Sequence, residues 1–200
     1  MKKLVLYIHG KGGSAAEADH YRPLFPDADV IGLDYRAETP REAKEEFPGL
    51  FDTVCGGCDK VILIANSLGA YLALNSLAEK KISKAFFISP VVDMEGLILN
   101  MMERERITEA ELKEKREIST SFGETLSWEY LTYVREHPLS WKTATKILYG
   151  ENDMITGKEA IIAFADRIGA DLTIMPNGEH WFHTEEQMRV LDNWLREIDD

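Results

Sequence analysis

The sequence has no long apolar run and little positive charge. None of its segments approaches the roughly 20 consecutive apolar residues that a membrane-spanning helix needs. Its 23 lysines and arginines are outnumbered by 35 aspartates and glutamates, which gives a formal net charge of −12. A protein of this charge repels phosphate backbones and anionic lipid headgroups. We therefore expect neither nucleic acid nor a membrane as a partner.

Cysteine is also scarce. The two cysteines of the 200-residue chain, Cys55 and Cys58, lie together in the stretch CGGCDK. A CxxC pair can be a redox centre or half of a zinc site, but no second CxxC and no thioredoxin-like pattern accompany it. A glycine-rich turn with two reduced thiols is the simpler interpretation, and a redox role is the alternative.

The amino-terminal stretch MKKLVLYIHGKGG combines two lysines with an apolar run, as secretory signals do. The run covers only Leu4–Ile8, which is shorter than the roughly 7 to 15 residues of a signal's apolar region. No small-residue cleavage site follows it. We therefore expect a strand here, and a cytoplasmic protein.

Apolar runs alternate with amphipathic segments along most of the chain, whose length suits a single domain. Six runs rich in Val, Ile and Leu predict strands at Lys3–Ile8, Asp29–Leu33, Lys60–Ala65, Lys84–Ile88, Thr145–Tyr149 and Asp171–Met175. Five further segments predict helices at Ala15–Tyr21, Pro40–Val54, Leu68–Lys80, Lys158–Ile168 and Glu185–Glu197. The last of these helices carries one apolar stripe, formed by Met188, Leu191, Leu195 and Ile198.

Strand runs without polar alternation are typical of parallel sheets that helices cover on both faces. Alternating strands and helices with right-handed crossovers make a doubly wound α/β fold. We therefore predict one α/β domain over residues 1–200, built on a mostly parallel sheet of about six strands.

One interval, about 93–139, breaks the alternation because it has no strand signal. A capping box at Thr108–Glu111 predicts the start of one helix, and Ser127 predicts the start of another, Trp128–Glu136. The interval has too few apolar residues for a core of its own. We therefore expect a helical insert that lies as a cap over the carboxyl ends of the strands.

Chemistry in an open α/β sheet is expected directly after the strands, at their carboxyl ends. Four such segments carry reactive or glycine-rich residues: His9–Ser14, Asn66–Gly69, Gly150–Asp153 and Pro176–His180. They place a serine, an acid and a histidine at strand ends in that chain order. Because the carboxyl ends of parallel strands lie at one edge of a sheet, we expect these three side chains to meet there.

Ser67 lies at the junction of a predicted strand and a predicted helix, with no loop between them. Such a sharp turn needs small residues two positions away on each side, and Ala65 and Gly69 supply them. The stretch A-N-S-L-G resembles the G-x-S-x-G nucleophile elbow of the α/β-hydrolase superfamily, with alanine in place of the first glycine. The resemblance covers nearly the whole chain and is greatest to the small intracellular serine hydrolases. It implies the α/β-hydrolase fold with a cap.

The resemblance also implies a catalytic triad. Ser67 would be the nucleophile, His180 its general base and Asp153 the carboxylate that orients the base. His183 and Glu151 are rivals on the same loops. The position of the histidine soon after a glycine favours His180, and the G-x-x-D spacing favours Asp153.

By the same resemblance, the backbone N–H groups of Lys11 and Leu68 would form the oxyanion hole, with Gly12 beside them at the substrate. The Lys11 side chain is either solvated or, alternatively, lies at the mouth of the site and favours an anionic acyl group. Met101 and Trp128 of the insert are candidates for an apolar substrate lining.

These residues predict a serine hydrolase that cleaves a small-molecule carboxylic ester through an acyl-enzyme, without a metal or an organic cofactor. The preferred acyl group would be small or medium in length, or aromatic. A thioesterase or an amidase would use the same triad. An inactive binding module on the same fold is the alternative from another class.

Overall fold

The computed structural model of the protein describes residues 1–196. In chain order its elements are β1 (Lys3–Ile8), a 3₁₀ helix (Ala15–Leu24), β2 (Asp29–Gly32), α1 (Pro40–Cys55), β3 (Lys60–Asn66), α2 (Ser67–Ser76), β4 (Lys84–Ile88), α3 (Met94–Glu105), α4 (Glu109–Lys115), β5 (Glu117–Ser119), β6 (Thr125–Ser127), α5 (Trp128–Glu136), β7 (Thr145–Gly150), α6 (Lys158–Ile168), β8 (Asp171–Met175) and α7 (Glu185–Arg196). Glu197 and Ile198, which the sequence places in the last helix, lie outside the described residues.

Six strands form one sheet in the order β2-β1-β3-β4-β7-β8. Every neighbouring pair is parallel. The prediction of a mostly parallel, doubly wound sheet of about six strands is therefore confirmed. All the carboxyl ends meet at one edge, so the loops after β1, β3, β7 and β8 converge there.

Helices bury both faces of this sheet because successive strand side chains point to opposite faces. In β1, Leu4 and Leu6 belong to the apolar cluster on the face that α1 to α6 cover, together with Phe47 of α1. Val5 and Tyr7 belong to the cluster on the other face, under the 3₁₀ helix and α7. The central strands are thus almost fully apolar, as their sequence predicts.

The two edge strands differ from the prediction that all six are buried on both faces. In β2, Val30 is buried while Asp29 and Ile31 are exposed, and β8 alternates in a similar way up to a buried Met175. An edge strand has a sheet neighbour on one side only. The covering helices leave part of its outer face in contact with solvent.

The interval 93–139 is mostly helical, but it is not free of strands as the sequence analysis expects. Besides α3, α4 and α5 it contains the antiparallel hairpin β5–β6, in which Ile118 pairs with Leu126. Each strand has three residues, too few for a period-2 pattern to be visible in the sequence. Leu112, Leu126 and Leu131 of the insert are buried in the same cluster as the sheet, so the insert has no separate core.

Two predicted helices differ clearly from the structure in their bounds or type. The first is a 3₁₀ helix and extends to Leu24, and α2 runs from Ser67 to Ser76 rather than from Leu68 to Lys80. The start of α1 follows its capping box: Thr39 Oγ1 accepts the N–H of Glu42 at 3.3 Å, and the Glu42 carboxylate accepts the N–H of Thr39 at 3.0 Å. Among residues 1–196, no helix combines the length and apolar character needed to cross a membrane.

The environment of Cys55 argues against a reactive CxxC pair. Cys55 is buried at the end of α1 and Cys58 is half-buried, and both are free. Burial raises the pKa of the Cys55 thiol to about 12, with smaller contributions from Cys58 and Asp52. Because the thiolate is the reactive form, a thiol with this pKa is nearly inert at neutral pH.

We expect Cys55 in a Cys58→Ser variant to react with a disulfide reagent at pH 8 at least about 100-fold more slowly in the folded protein than in denaturant. Reagent absorbance over time measures both rates. The Cys55→Ser variant serves as the control that reports Cys58 alone. Equal rates for Cys55 in the two states would contradict the burial.

Candidate active site

Ser67 begins α2 in a strained backbone conformation, with φ of 50°. The turn is tight because the loop after β1 packs directly on the first turn of α2. A Cβ atom at Gly69 would lie 2.0 Å from the carbonyl oxygen of His9, so no larger residue fits there. A Cβ atom at Gly10 would lie 3.1 Å from the Cβ of Ser67. The backbone after β1 therefore runs within contact distance of the serine.

Ser67, His180 and Asp153 form one hydrogen-bonded chain. Ser67 Oγ lies 2.7 Å from His180 Nε2, and His180 Nδ1 lies 2.7 Å from Asp153 Oδ2. The His180 side chain is 16% exposed and that of Asp153 is 0% exposed. If Nδ1 carries the proton and donates it to the carboxylate, Nε2 is free to accept the proton of Ser67. The arrangement can therefore activate a serine.

The Asp153 carboxylate is held by the backbone that follows it. Its Oδ1 accepts the N–H of Ile155 at 2.8 Å and that of Thr156 at 3.1 Å. The other oxygen is thereby aimed at His180. With two backbone donors and one ring donor, the buried carboxylate is satisfied in its ionised form.

The loops after β7 and β8 are packed backbone against backbone. Asn152 donates its N–H to the carbonyl of Gly178 at 2.7 Å. A Cβ atom at Gly150 would lie 2.4 Å from the carbonyl oxygen of Glu179, so this strand end also requires glycine. The close approach brings the acid on one loop within hydrogen-bond distance of the histidine on the other.

The rival residues lie outside the hydrogen-bonded chain. His183 is 43% exposed, and its Nδ1 lies 2.8 Å from the carbonyl oxygen of Trp181 and 3.5 Å from Glu179. Glu151 accepts the N–H of Asn177 at 3.2 Å. Within the described part of the chain, no group of three or more His, Cys, Asp or Glu residues is arranged to hold a metal ion.

The loop after β1 is held in place by its own hydrogen bonds. The hydroxyl of Tyr35 donates to the carbonyl of His9 at 2.8 Å, and Gly13 donates its N–H to the carbonyl of Gly10 at 3.1 Å. Among the described residues, neither the N–H of Lys11 nor that of Leu68 takes part in a turn or loop hydrogen bond between backbone groups. Both groups are candidates to bind a developing oxyanion.

Gly12 and the Lys11 side chain occupy the exposed side of this loop. Gly12 has φ of +75°, and apart from its two chain neighbours no described residue has an atom within 4 Å of the position that a Cβ would take. The ammonium group of Lys11 forms an ion pair with Glu124, in the turn between β5 and β6. Its charge is therefore balanced by the insert, which argues against the alternative that it attracts an anionic acyl group.

The two insert residues expected at the substrate have other contacts. Met101 in α3 is half-buried and packs against the main apolar cluster. Trp128 lines a surface cavity of about 330 Å³ with Arg41 and Arg116 among others, and Ser67, His180 and Asp153 are not part of its lining. A substrate-binding role of Met101 and Trp128 stays a prediction.

The sequence analysis did not identify three exposed apolar residues that directly follow the acid and the histidine in the chain. Met154 is 92% exposed, Ile155 42% and Trp181 69%. Met154 and Ile155 directly follow the acid, and Trp181 directly follows the histidine. Their place in the chain next to Asp153 and His180 is the signal that could have identified them.

Comparison with known proteins supports the fold assignment. No protein-family model matches the sequence, and no curated protein matches it. Among solved structures, Est1E from Butyrivibrio proteoclasticus is similar with a TM-score of 0.76 at 14% identity, covering 98% of this chain and 86% of that chain. Alpha/beta hydrolase domain-containing protein 10 from mouse has a TM-score of 0.76 at 17% identity and covers 96% and 87%.

A soluble variant of monoglyceride lipase from Saccharomyces cerevisiae, in complex with a substrate analogue, has a TM-score of 0.70 at 13% identity and covers 98% of this chain and 86% of that chain. At these identities the similarity concerns the fold. Together with the parallel sheet and the sharp turn at Ser67, it confirms the predicted fold class: the chain has the α/β-hydrolase fold.

Proposed function

We propose that the protein is a serine hydrolase that cleaves a carboxylic ester through an acyl-enzyme intermediate. The observation that carries this proposal is the chain of two 2.7 Å hydrogen bonds from Ser67 through His180 to the buried Asp153. Serine is a weak nucleophile at neutral pH and requires such a base. Outside a catalytic site, a strained serine bonded to a histidine serves no evident structural purpose.

The geometry supports the following sequence of steps. Ser67 Oγ attacks the ester carbonyl while His180 Nε2 takes its proton, and Asp153 stabilises the resulting imidazolium. The N–H groups of Lys11 and Leu68 receive the developing oxyanion. The intermediate collapses, His180 protonates the departing alcohol, and the acyl group stays on Ser67. Water then attacks the acyl-enzyme while His180 takes its proton, and His180 returns that proton to Ser67 Oγ as the acid is released.

The similar structures support ester cleavage as the reaction. They include the yeast monoglyceride lipase and a marine microorganism esterase, the latter with a TM-score of 0.57 at 13% identity. Est1E is also known with ferulic acid bound. The names of the lipase and the marine esterase describe enzymes that cleave esters, and the present chain shares their fold.

The surroundings of the triad favour an uncharged substrate with an apolar portion. Lys11 is paired with Glu124, so the loop after β1 offers no free cation to a carboxylate. Met154, Ile155 and Trp181 are exposed apolar residues that directly follow the acid and the histidine in the chain. A neutral ester with a medium acyl chain or an aromatic group suits this environment.

The experiment that tests the proposal is labelling of the protein with a fluorophosphonate probe, followed by peptide mass mapping. We expect labelling at Ser67 in the wild type, loss of labelling in Ser67→Ala and strong reduction in His180→Ala. The Ser76→Ala variant is the matched control, because Ser76 lies in the same helix and its hydroxyl bonds the carbonyl of Leu72. A folded wild-type protein that takes no label would contradict an activated serine.

A further inference from the structure

A buried phenol links two segments of the candidate site. Tyr7 in β1 is 1% exposed. Its hydroxyl donates a hydrogen bond of 2.5 Å to Glu17 Oε2 in the 3₁₀ helix. Tyr7 pairs with Ile64 in the sheet, so the side chain of Asn66, two residues further along β3, lies on the same face next to the phenol. Burial raises the pKa of Tyr7 far above its ordinary value, so the phenol keeps its proton and acts as a donor.

The second oxygen of Glu17 reaches the loop after β1. Glu17 Oε1 accepts the N–H of Ser14 at 3.1 Å, directly after the glycines of that loop. A Cβ atom at Gly13 would lie 2.5 Å from the same oxygen, so the carboxylate packs against the loop. At the other end of the network, Asn66 directly precedes Ser67. One phenol and one carboxylate therefore contact both the loop and the residue before the serine.

The loop needs such a contact because three of its residues, Gly10, Gly12 and Gly13, have no side chain to fix them. Its first part is held by the bond from Tyr35 to the carbonyl of His9. Its last part is held by the bond from Ser14 to Glu17. The N–H of Lys11 lies between these two anchors, and a displacement of about 1 Å of such a donor can lower a rate on the order of 100-fold.

We infer that Tyr7 and Glu17 are positioning residues, which hold the loop after β1 and the residue before Ser67 in a fixed relation so that the Lys11 N–H meets the oxyanion. The inference rests on the function proposed above. The competing explanation is that Glu17 only caps the 3₁₀ helix, since a glutamate three residues after the first capping residue commonly does so.

The chain contains a matched control for this competing explanation. Glu42 accepts the N–H of Thr39 at the start of α1 in the same capping arrangement, without a link through a phenol to Asn66. The test compares Glu17→Ala, Glu17→Gln and Tyr7→Phe with Glu42→Ala. Its readouts are kcat and KM for a neutral aryl ester, amide hydrogen exchange of residues 10–14, and the melting temperature.

We expect Glu17→Ala and Tyr7→Phe to lower kcat by about 10-fold or more with KM within about twofold, and to speed hydrogen exchange of the loop. Glu17→Gln should recover part of kcat, because an amide oxygen can still accept the N–H of Ser14. Glu42→Ala should lower the melting temperature while leaving kcat and the exchange of the loop unchanged.

Three outcomes would overturn the inference: wild-type kcat in folded Glu17→Ala, lower kcat without faster exchange, or an equal loss of kcat in Glu42→Ala. Failure of the proposed function would look different, because the wild type itself would then take no fluorophosphonate label and cleave no ester. Hydrogen exchange of residues 10–14 in Glu17→Ala would still test the contact in that case. Exchange as slow as in the wild type would show that the carboxylate does not hold the loop. Faster exchange would show that it holds the loop but has no role in catalysis.

Discussion

Replacing Asp153 by asparagine is expected to lower kcat for a carboxylic ester by about 10³- to 10⁴-fold with little change in the fold. The asparagine oxygen can still accept the N–H groups of Ile155 and Thr156, as Oδ1 of Asp153 does. The amide NH₂ then takes the place of Oδ2 and donates to Nδ1 of His180. The imidazole proton is forced onto Nε2, which can no longer remove the proton of Ser67.

Initial rates of ester hydrolysis measure this effect, with circular dichroism to confirm the fold. Glu151→Gln is the matched control, because Glu151 lies on the same loop but contacts the N–H of Asn177 instead of His180. We expect this control to retain kcat within about threefold. A folded Asp153→Asn protein within tenfold of wild-type kcat would show that another group orients His180.

Replacing Gly69 by alanine is expected to destabilise the protein by about 3 kcal/mol or more and to remove most of the activity. The added Cβ would lie 2.0 Å from the carbonyl oxygen of His9 and 2.9 Å from that of Ile8. These are backbone atoms at the end of β1, which cannot rotate away as a side chain could. Relief of the clash must move α2 away from the loop after β1, and with it Ser67.

Urea denaturation measures the loss of stability, and fluorophosphonate labelling measures the remaining activity of Ser67. Gly49→Ala is the matched control, since among the described residues a Cβ at Gly49 in α1 would meet nothing within 4 Å beyond the backbone of its own helix. That change should stabilise the protein by roughly 0.5 to 1 kcal/mol through helix propensity. A Gly69→Ala protein with wild-type stability would contradict the close approach of α2 and β1.

The same packing accounts for the one departure of the elbow from the G-x-S-x-G pattern. The first position of that pattern is Ala65, which pairs with Ile8 in the sheet and is fully buried in the main apolar cluster. A methyl group is accommodated there. At Gly69, on the other side of the serine, the backbone of His9 excludes it. The chain thus retains glycine at the position where the structure leaves no room.

The sequence by itself determined the sheet and which residues follow its strands. Buried central strands are almost wholly apolar, so their positions are visible without the structure. Parallel strands place their carboxyl ends at one edge, which is why Ser67 and His180, 113 residues apart, could be expected at the same place. Their roles in catalysis are the proposal that labelling and the Asp153 variant test.

The tertiary structure alone decided how the loops and the insert pack around that edge. The short hairpin β5–β6, the pairing of Lys11 with Glu124 and the contacts of Tyr7 with Glu17 and Asn66 leave no periodic signal in the chain. Such contacts join segments far apart in sequence, and Lys11 and Glu124 are separated by 113 residues. These contacts depend on how each loop packs against the sheet. The position of a strand or a helix, by contrast, follows from the apolar pattern of its own residues.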